Sequence, residues 1–225
     1  MKKLSIKNIV DFRGRSSRSK QNFAINLKND KEKASTKSGG DYWVSCISAI
    51  SRSYRLNDLQ LIVDKRYELE EKYKETEYRQ TKTMYKRNIN ILCRFENFNL
   101  DKWRPSEELI FLKKHKENSI LNIKGLQIQV SPNYVFTFQK GSTKEIGAIW
   151  FIAKLDGFRV DELGMFTDVL YRYLKTHFSK DYNLNPKYCI AVDVFKGSDI
   201  SYLQLEENEV PRILNSTLDE ISKLI

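Results

Sequence analysis

The feature that most constrains the fold is a stretch of 64 residues, 41–104, that contains neither glycine nor proline. Both residue types usually interrupt regular elements, so this stretch favours long helices joined by short turns. Apolar residues recur in it at helical spacing, and three such sets predict three helices. The sets are Trp43, Cys46, Ile47, Ile50 and Tyr54; Leu59, Ile62, Leu69 and Tyr73; and Met84, Tyr85, Ile89, Leu92 and Phe95.

From Ser119 onward the apolar period shortens from 3.6 to 2, which is typical of strands. The pattern predicts a first strand over 120–131 bent at Gly125, a second over 134–138 and a third over 146–154. A helix over 161–178 then precedes a nearly continuous apolar run, which is typical of an inner or parallel strand. That run covers 188–195, and a short strand over 200–205 and a helix over 212–225 follow it.

The sequence therefore predicts an α/β protein in three parts. They are a basic N-terminal arm with one short helix at 1–40, a helical subdomain at 41–104, and a mixed-sheet domain at 105–225. The predicted sheet domain has β-β-β-α-β order with flanking helices. A strand, a crossover helix and a returning parallel strand would form a right-handed unit.

The composition of the chain limits the cellular compartments and the kinds of metal or disulfide site that we expect. No apolar leader opens the chain, and no apolar run approaches the roughly 20 residues of a spanning helix, so we expect a cytoplasmic protein without membrane contact. Three cysteines and two histidines are spread along the chain without metal-ligand spacing. Neither a disulfide framework nor a metal centre is predicted from them.

The net charge of +10 is unevenly distributed. Residues 1–40 carry 11 basic and 3 acidic side chains, whereas residues 125–225 carry 11 basic and 13 acidic ones. An excess of cations at one end of a chain favours a polyanionic partner. Nucleic acid is the first expectation, and an acidic protein surface is the alternative.

Two groups of cations are candidate nucleic-acid contacts, and a third, smaller cluster has the same two interpretations as the second group. The first group alternates with small polar residues, and guanidinium groups match phosphate geometry. The second group has helical spacing, which fits either a recognition helix or a solvated helix face. The first group is Arg13, Arg15, Arg18 and Lys20; the second is Arg79, Lys82, Lys86 and Arg87; the third cluster is the run KKHK at 113–116.

The order of predicted strands, with Pro132 and Asn133 before the second strand and Ile152 to Lys154 closing the third, resembles the core of the PD-(D/E)XK phosphodiesterase superfamily. The resemblance covers about residues 105–197. In that superfamily a carboxylate at the start of the second strand and an acidic-x-Lys triplet on the third hold metal ions and activate water. Asn133 and Ile152 stand where those acids would be, so the resemblance implies a degenerate site.

Asp193 lies within the apolar run of 188–195, where an unpaired carboxylate would be costly to bury. Lys154 would end the neighbouring parallel strand. The two side chains could therefore form a structural ion pair, form a functional pair, or lie separately at strand ends.

The leading functional prediction is a non-catalytic nucleic-acid-binding protein. The resemblance implies a component of a bacterial defence or mobile-element system. One alternative is an adaptor subunit that binds only protein. The second is an active nuclease that would use Mg²⁺ with Lys154, Asp193 and Asn133, whereas the leading prediction needs no cofactor.

Overall fold

The computed structural model describes residues 2–28, 42–113 and 119–225. It confirms the α/β class, because helices cover both faces of a mixed sheet. Of the predicted cluster at 113–116, Lys113 is exposed and the other three residues lie outside the described part of the chain.

Helices account for most of the regular structure in the described residues. In chain order they are α1 Ile6–Arg13, α2 Ser17–Lys28, α3 Val44–Leu56, α4 Gln60–Glu75, α5 Arg79–Phe95, α6 Val160–Phe178, α7 Tyr202–Glu206 and α8 Leu214–Leu224, with a 3₁₀ turn at Leu100–Trp103. The strands are β1 Leu4–Ser5, β2 Ile110–Phe111, β3 Ile120–Ile123, β4 Leu126–Gln129, β5 Tyr134–Lys140, β6 Thr143–Ile152, β7 Asn183–Asp193 and β8 Ser198–Ser201.

The larger sheet has five strands in the order β2-β5-β6-β7-β8. β6 and β7 are parallel and are joined through α6, while the other neighbours are antiparallel. Ile152 pairs with Asp193, so these two parallel strands end side by side. This edge is where an open α/β sheet usually carries its ligand site.

The predicted bent first strand is wrong. Residues 120–129 instead form the hairpin β3–β4, whose turn residues Lys124 and Gly125 have φ values of 52° and 78°. Two successive positive φ angles give the tight hairpin turn that matches strand twist, so the chain reverses there. The hairpin joins β1 in a separate three-stranded sheet, and β2 takes the edge position beside β5.

The predicted strand over 200–205 is also only partly strand. β8 ends at Ser201, where the side chain of Gln204 accepts from the Ser201 backbone N–H and begins α7. This reciprocal cap stabilises a helix start, so residues 202–206 are helical.

The five-stranded sheet buries both faces because its strands alternate their side chains between two layers. On β6, Phe151 faces the helical layer of α3, α4 and α5, while Ile152 faces α6 and α1. Residues 44–95 therefore pack directly on the sheet. Each layer has its own apolar cluster, which makes the fold a three-layer sandwich.

The N-terminal segment is not the arm with one short helix that the sequence suggests. Residues 2–28 form β1, α1 and α2, and their apolar side chains belong to the same cluster as α6. The spacing of Ile6, Ile9 and Val10 gives α1 one apolar face, and all three are almost fully buried. Among the described residues, no helix is long and apolar enough to cross a membrane.

His177 in the last turn of α6 makes stability sensitive to acid. Its Nε2 atom is buried without a hydrogen-bond partner in the described structure, and burial lowers the pKa of the imidazole below its usual 6.5. The unfolded chain therefore binds a proton more readily than the folded chain, so stability should fall as the pH drops through about 6.5 and stop falling below the folded pKa. Urea unfolding between pH 7.5 and pH 5 should show a smaller loss for His177→Gln than for the wild type, and equal losses would contradict this assignment.

Candidate nucleic-acid interface

The most basic element in the described structure is α5. Its 17 residues include five cations and no acid. The buried side of α5 carries Asn88, Ile91, Leu92 and Phe95, so the cations are confined to the remaining surface. They are Arg79, Lys82, Lys86, Arg87 and Arg94, and we call them the α5 cations.

Helical geometry places these cations in one broad stripe on the side of α5 away from its buried face, where Arg79, Lys86 and Arg94 are exposed and Lys82 and Arg87 are half-buried. Arg79 and Lys86 are exposed and lie seven residues apart, which is two turns or about 10.5 Å along the helix axis. Lys82 lies on one side of that line, 4.0 Å from Glu77 and near the Tyr73 ring. Glu77 offsets part of the Lys82 charge, but Arg79, Lys86 and Arg94 have no ion pair with a described residue, so the stripe keeps a net positive charge.

The neighbouring helix α4 does not cancel this charge. Its own bases pair with three of its five acids: Lys65 and Lys72 with Glu68, Arg66 with Glu70, and Lys74 with Glu71. These contacts lie one turn apart and are the solvated pairs that the sequence predicts for this region. The positive charge of the helical layer is therefore concentrated on α5.

Two α5 cations are fixed by neighbouring aromatic residues. Arg87 Nη1 donates to Tyr42 Oη at 3.2 Å, and its guanidinium lies over the Tyr42 ring. Arg94 donates to the backbone oxygen of Phe195 and lies 5.8 Å from the centre of that ring. An arginine held by one or two contacts keeps other N–H donors for an outside acceptor.

The N-terminal candidates lie elsewhere and are used mainly within the molecule. Arg13 Nη1 donates to Thr217 Oγ1 at 3.0 Å, and Lys20 Nζ lies 2.7 Å from Glu220 Oε1. Both contacts hold α1 and α2 against α8. Arg15 stacks on Phe23 in the same segment, and Arg18 alone of the four is exposed.

The three candidate catalytic residues do not form one cluster. Asn133 Oδ1 accepts from the Phe151 backbone N–H at 2.8 Å, so this amide links the start of β5 to the end of β6. Lys154 Nζ lies 3.0 Å from Glu162 Oε2 and 4.8 Å from the centre of the Phe158 ring. Of the three arrangements that the sequence leaves open for Lys154 and Asp193, the ion pair is therefore not formed, because the first turn of α6 supplies Glu162 to Lys154 instead.

Asp193 is fully buried and holds backbone amides. Its Oδ2 atom accepts from Phe158 N–H at 2.7 Å, and its Oδ1 atom accepts from Phe195 N–H at 2.9 Å and Lys196 N–H at 3.4 Å. Burial raises the pKa of the Asp193 carboxyl, while the three amides oppose that shift. Gly157 packs against it with φ at 71°, and a Cβ there would lie 2.5 Å from Oδ2. Asp193 thus ties two loops together.

A groove of about 360 Å³ opens where β6 ends and β5 begins. Its size is within the range of pockets that bind small ligands or parts of larger ones. Five aromatic residues line it: Trp150 is half-buried, whereas Trp43, Phe151, Phe158 and Phe166 are buried and only 2–7% exposed. It therefore offers apolar surface beside the sheet edge at which ligands commonly bind.

The polar rim of the groove contains no carboxylate among the described residues. Lys7 is its one charged residue in that set, and Gln129 and Ser131 are exposed at the rim. Asn133 also lines the groove, and its Nδ2 atom has no acceptor in the described structure. No group of three or more His, Cys, Asp or Glu side chains suited to a metal ion occurs in the described ranges.

The groove and the α5 cations are neighbours. Tyr42, which accepts from Arg87, packs edge-on against Trp43, whose ring lines the groove. The Phe195 ring, over which the Arg94 guanidinium lies, also packs edge-on against Trp43 with 5.9 Å between ring centres. Two contacts therefore lead from the cationic stripe to the aromatic wall.

Sequence reasoning found four of the five α5 cations and missed Arg94, Lys7 and the aromatic groove. Helical spacing was the signal for the four. Arg94 carried the same signal at the end of the same acid-free helix. The groove gave no sequence signal, because Ser5 to Lys7, Trp43, Asn133 and Trp150 meet only in the folded chain.

A scan against models of known protein families finds no matching family, and searches of curated proteins and of solved structures find no matching protein.

Proposed function

We propose that this protein binds nucleic acid through the phosphate backbone without cleaving it. The observation that carries the proposal is α5, a helix with five cations and no acid outside its buried face, on a chain of net charge +10. Lysine and arginine side chains that displace counterions from phosphates supply most non-specific affinity. The α5 cations are the main contact surface in this proposal, and Arg18 is a second exposed contact.

The residues at the candidate nuclease positions favour binding over cleavage. A divalent ion needs several oxygen ligands, usually with carboxylates among them. Asn133 offers one neutral amide that already accepts from Phe151, and Ile152 offers no ligand. Asp193, a buried acid that pairs in register with Ile152, directs both oxygens at backbone amides. The interpretation as a degenerate PD-(D/E)XK fold stays part of this proposal on that basis.

The decisive measurement is affinity across a salt series. Each phosphate contact contributes about 0.9 to the slope of log K against log salt for duplex DNA, and about 0.7 for a single strand. Arg79→Gln combined with Lys86→Gln removes two exposed cations without touching the buried face of α5. We expect the slope to become less steep by about 1.8 on duplex and about 1.4 on single strands, with at least roughly tenfold weaker binding in low salt.

A matched control removes the same charge elsewhere. Lys140 and Lys144 are exposed near the turn between β5 and β6, at the far end of β6 from Ile152. Lys140→Gln with Lys144→Gln should retain the wild-type slope. Equal slopes for the wild type and the α5 variant would overturn the assignment to α5. No salt-sensitive binding by the wild type would overturn the nucleic-acid proposal and favour the protein-binding adaptor.

The same samples test catalysis. Labelled single- and double-stranded DNA and RNA incubated with Mg²⁺ or Mn²⁺ should remain intact while they are bound. Metal-dependent cleavage that is lost in Lys154→Met would replace the binding proposal with the nuclease alternative.

A further inference from the structure

We propose that the aromatic groove receives an unstacked base of a single strand whose backbone lies on the α5 cations. This inference rests on the proposed function and adds a preferred form of nucleic acid, the single strand. It follows from three properties of the groove: its volume and aromatic wall, its lack of negative charge among the described residues, and its connection to α5.

Among the described residues, Trp150 is the one aromatic side chain of the wall that is partly exposed and can contact a flat, uncharged ring. Trp150 is half-buried at the groove and packs edge-on against Phe166 with 5.5 Å between ring centres. Aromatic side chains on which bases stack are the usual platforms of single-strand binding proteins. A base inside a duplex is already stacked and paired, so only an unpaired base could occupy this groove without breaking a pair.

The polar groups suit the edge of a base and the phosphate beside it. The amide Nδ2 of Asn133 can donate to a ring nitrogen or a carbonyl oxygen of a base, because its Oδ1 is held by Phe151. Lys7 is exposed on the first turn of α1 at the groove and makes no ion pair in the described structure. A single positive charge at the rim matches a flanking phosphate.

The position of the groove explains how one strand could reach both surfaces. Arg87 contacts Tyr42 and Arg94 contacts Phe195, and both aromatic rings pack on Trp43 in the groove wall. Backbone phosphates on the α5 stripe would thus approach the groove from the Trp43 side. Lys7 would then contact the strand as it leaves on the α1 side.

The test compares two single strands of equal length and equal phosphate count. One is an oligothymidine, and the other carries abasic sugars throughout. We expect the oligothymidine to bind at least about tenfold more tightly, because stacking of one base contributes roughly that much. Binding should also quench the emission of Trp150, which is half-buried at the groove, whereas Trp43 and Trp103 are buried.

A variant that fills the groove makes the test specific. Ser131 is exposed at the rim, so Ser131→Phe adds volume without changing charge. In this variant the two strands should bind with about equal affinity, and the salt dependence of binding should stay as in the wild type. The matched control, Ser142→Phe, lies in the exposed β5–β6 turn and should keep the preference. Lys7→Gln supplies a second variant and should weaken single-strand binding more than duplex binding.

The two proposals fail in different ways. Equal affinity for the two strands in the wild type, with salt-dependent binding that still requires α5, would overturn the groove proposal and leave the proposed function standing. A preference for the oligothymidine that survives unchanged in Ser131→Phe would also overturn it. Absence of salt-dependent binding to either strand would overturn both.

Discussion

Replacing Trp103 with alanine is expected to lower the free energy of unfolding by about 3 to 5 kcal/mol, the usual cost of removing a large buried aromatic side chain. Trp103 is fully buried between the helical layer and the sheet. Its ring stacks on Phe98 with 4.5 Å between centres and meets Phe151 of β6 edge-on at 5.6 Å. Deleting it would leave a cavity at the junction of the two layers.

Urea unfolding followed by circular dichroism measures this effect without relying on the removed fluorophore. Small domains are stable by about 5 to 15 kcal/mol, so the loss would be a large part of the total. Tyr78→Ala is the matched control, because Tyr78 is 79% exposed and its removal should change stability by no more than about 0.5 kcal/mol. Similar midpoints for the two variants would show that the helical layer is not packed on the sheet as described.

Asp193→Ala is expected to have the second-largest effect, a loss of about 2 to 4 kcal/mol. The substitution leaves the N–H groups of Phe158, Phe195 and Lys196 without their acceptor, and each unsatisfied buried donor costs about 1 to 3 kcal/mol unless water reaches it. The gain from removing a desolvated carboxylate offsets part of that loss, because burial raises the pKa of Asp193. Asp193→Asn should lose less, since one amide oxygen can still accept.

This pair of variants also separates two roles for Asp193. A residue that only ties the loops should show losses of stability in the order Ala, then Asn, with nucleic-acid affinity preserved in every sample that remains folded. Full stability in Asp193→Ala together with loss of a metal-dependent cleavage activity would contradict the structural role and restore the nuclease alternative. Both measurements can be made on the same preparations.

The sequence predicted the local elements where one local signal was strong. Residues 41–104 form helices because they lack glycine and proline and repeat their apolar residues at helical spacing, and α3, α4 and α5 match the three predicted sets. The alternation of apolar and polar residues likewise predicted the positions of β5 and β6. The hairpin β3–β4 was missed because Gly125 alone signalled a bend, whereas positive φ at Lys124 as well is what reverses the chain.

The candidate site was predicted less well because its residues act through distant partners. Spacing identified Arg79, Lys82, Lys86 and Arg87, since one helix carries them all. Charge alone could not show that Lys20 would meet Glu220, 200 residues away, or that Lys154 would choose Glu162 over Asp193. Such pairings depend on which elements pack together.

By itself, then, the sequence determined the α/β class, most of the elements and the acid-free helix, because each follows from spacing over a few turns or strands. The tertiary structure decided that residues 2–28 join the core and that Asp193 closes loops. It also decided that an aromatic groove lies beside the α5 cations. Only long-range packing brings Lys7, Trp43, Asn133 and Trp150 to one groove, because the spacing of residues along the chain does not show which distant segments will be in contact.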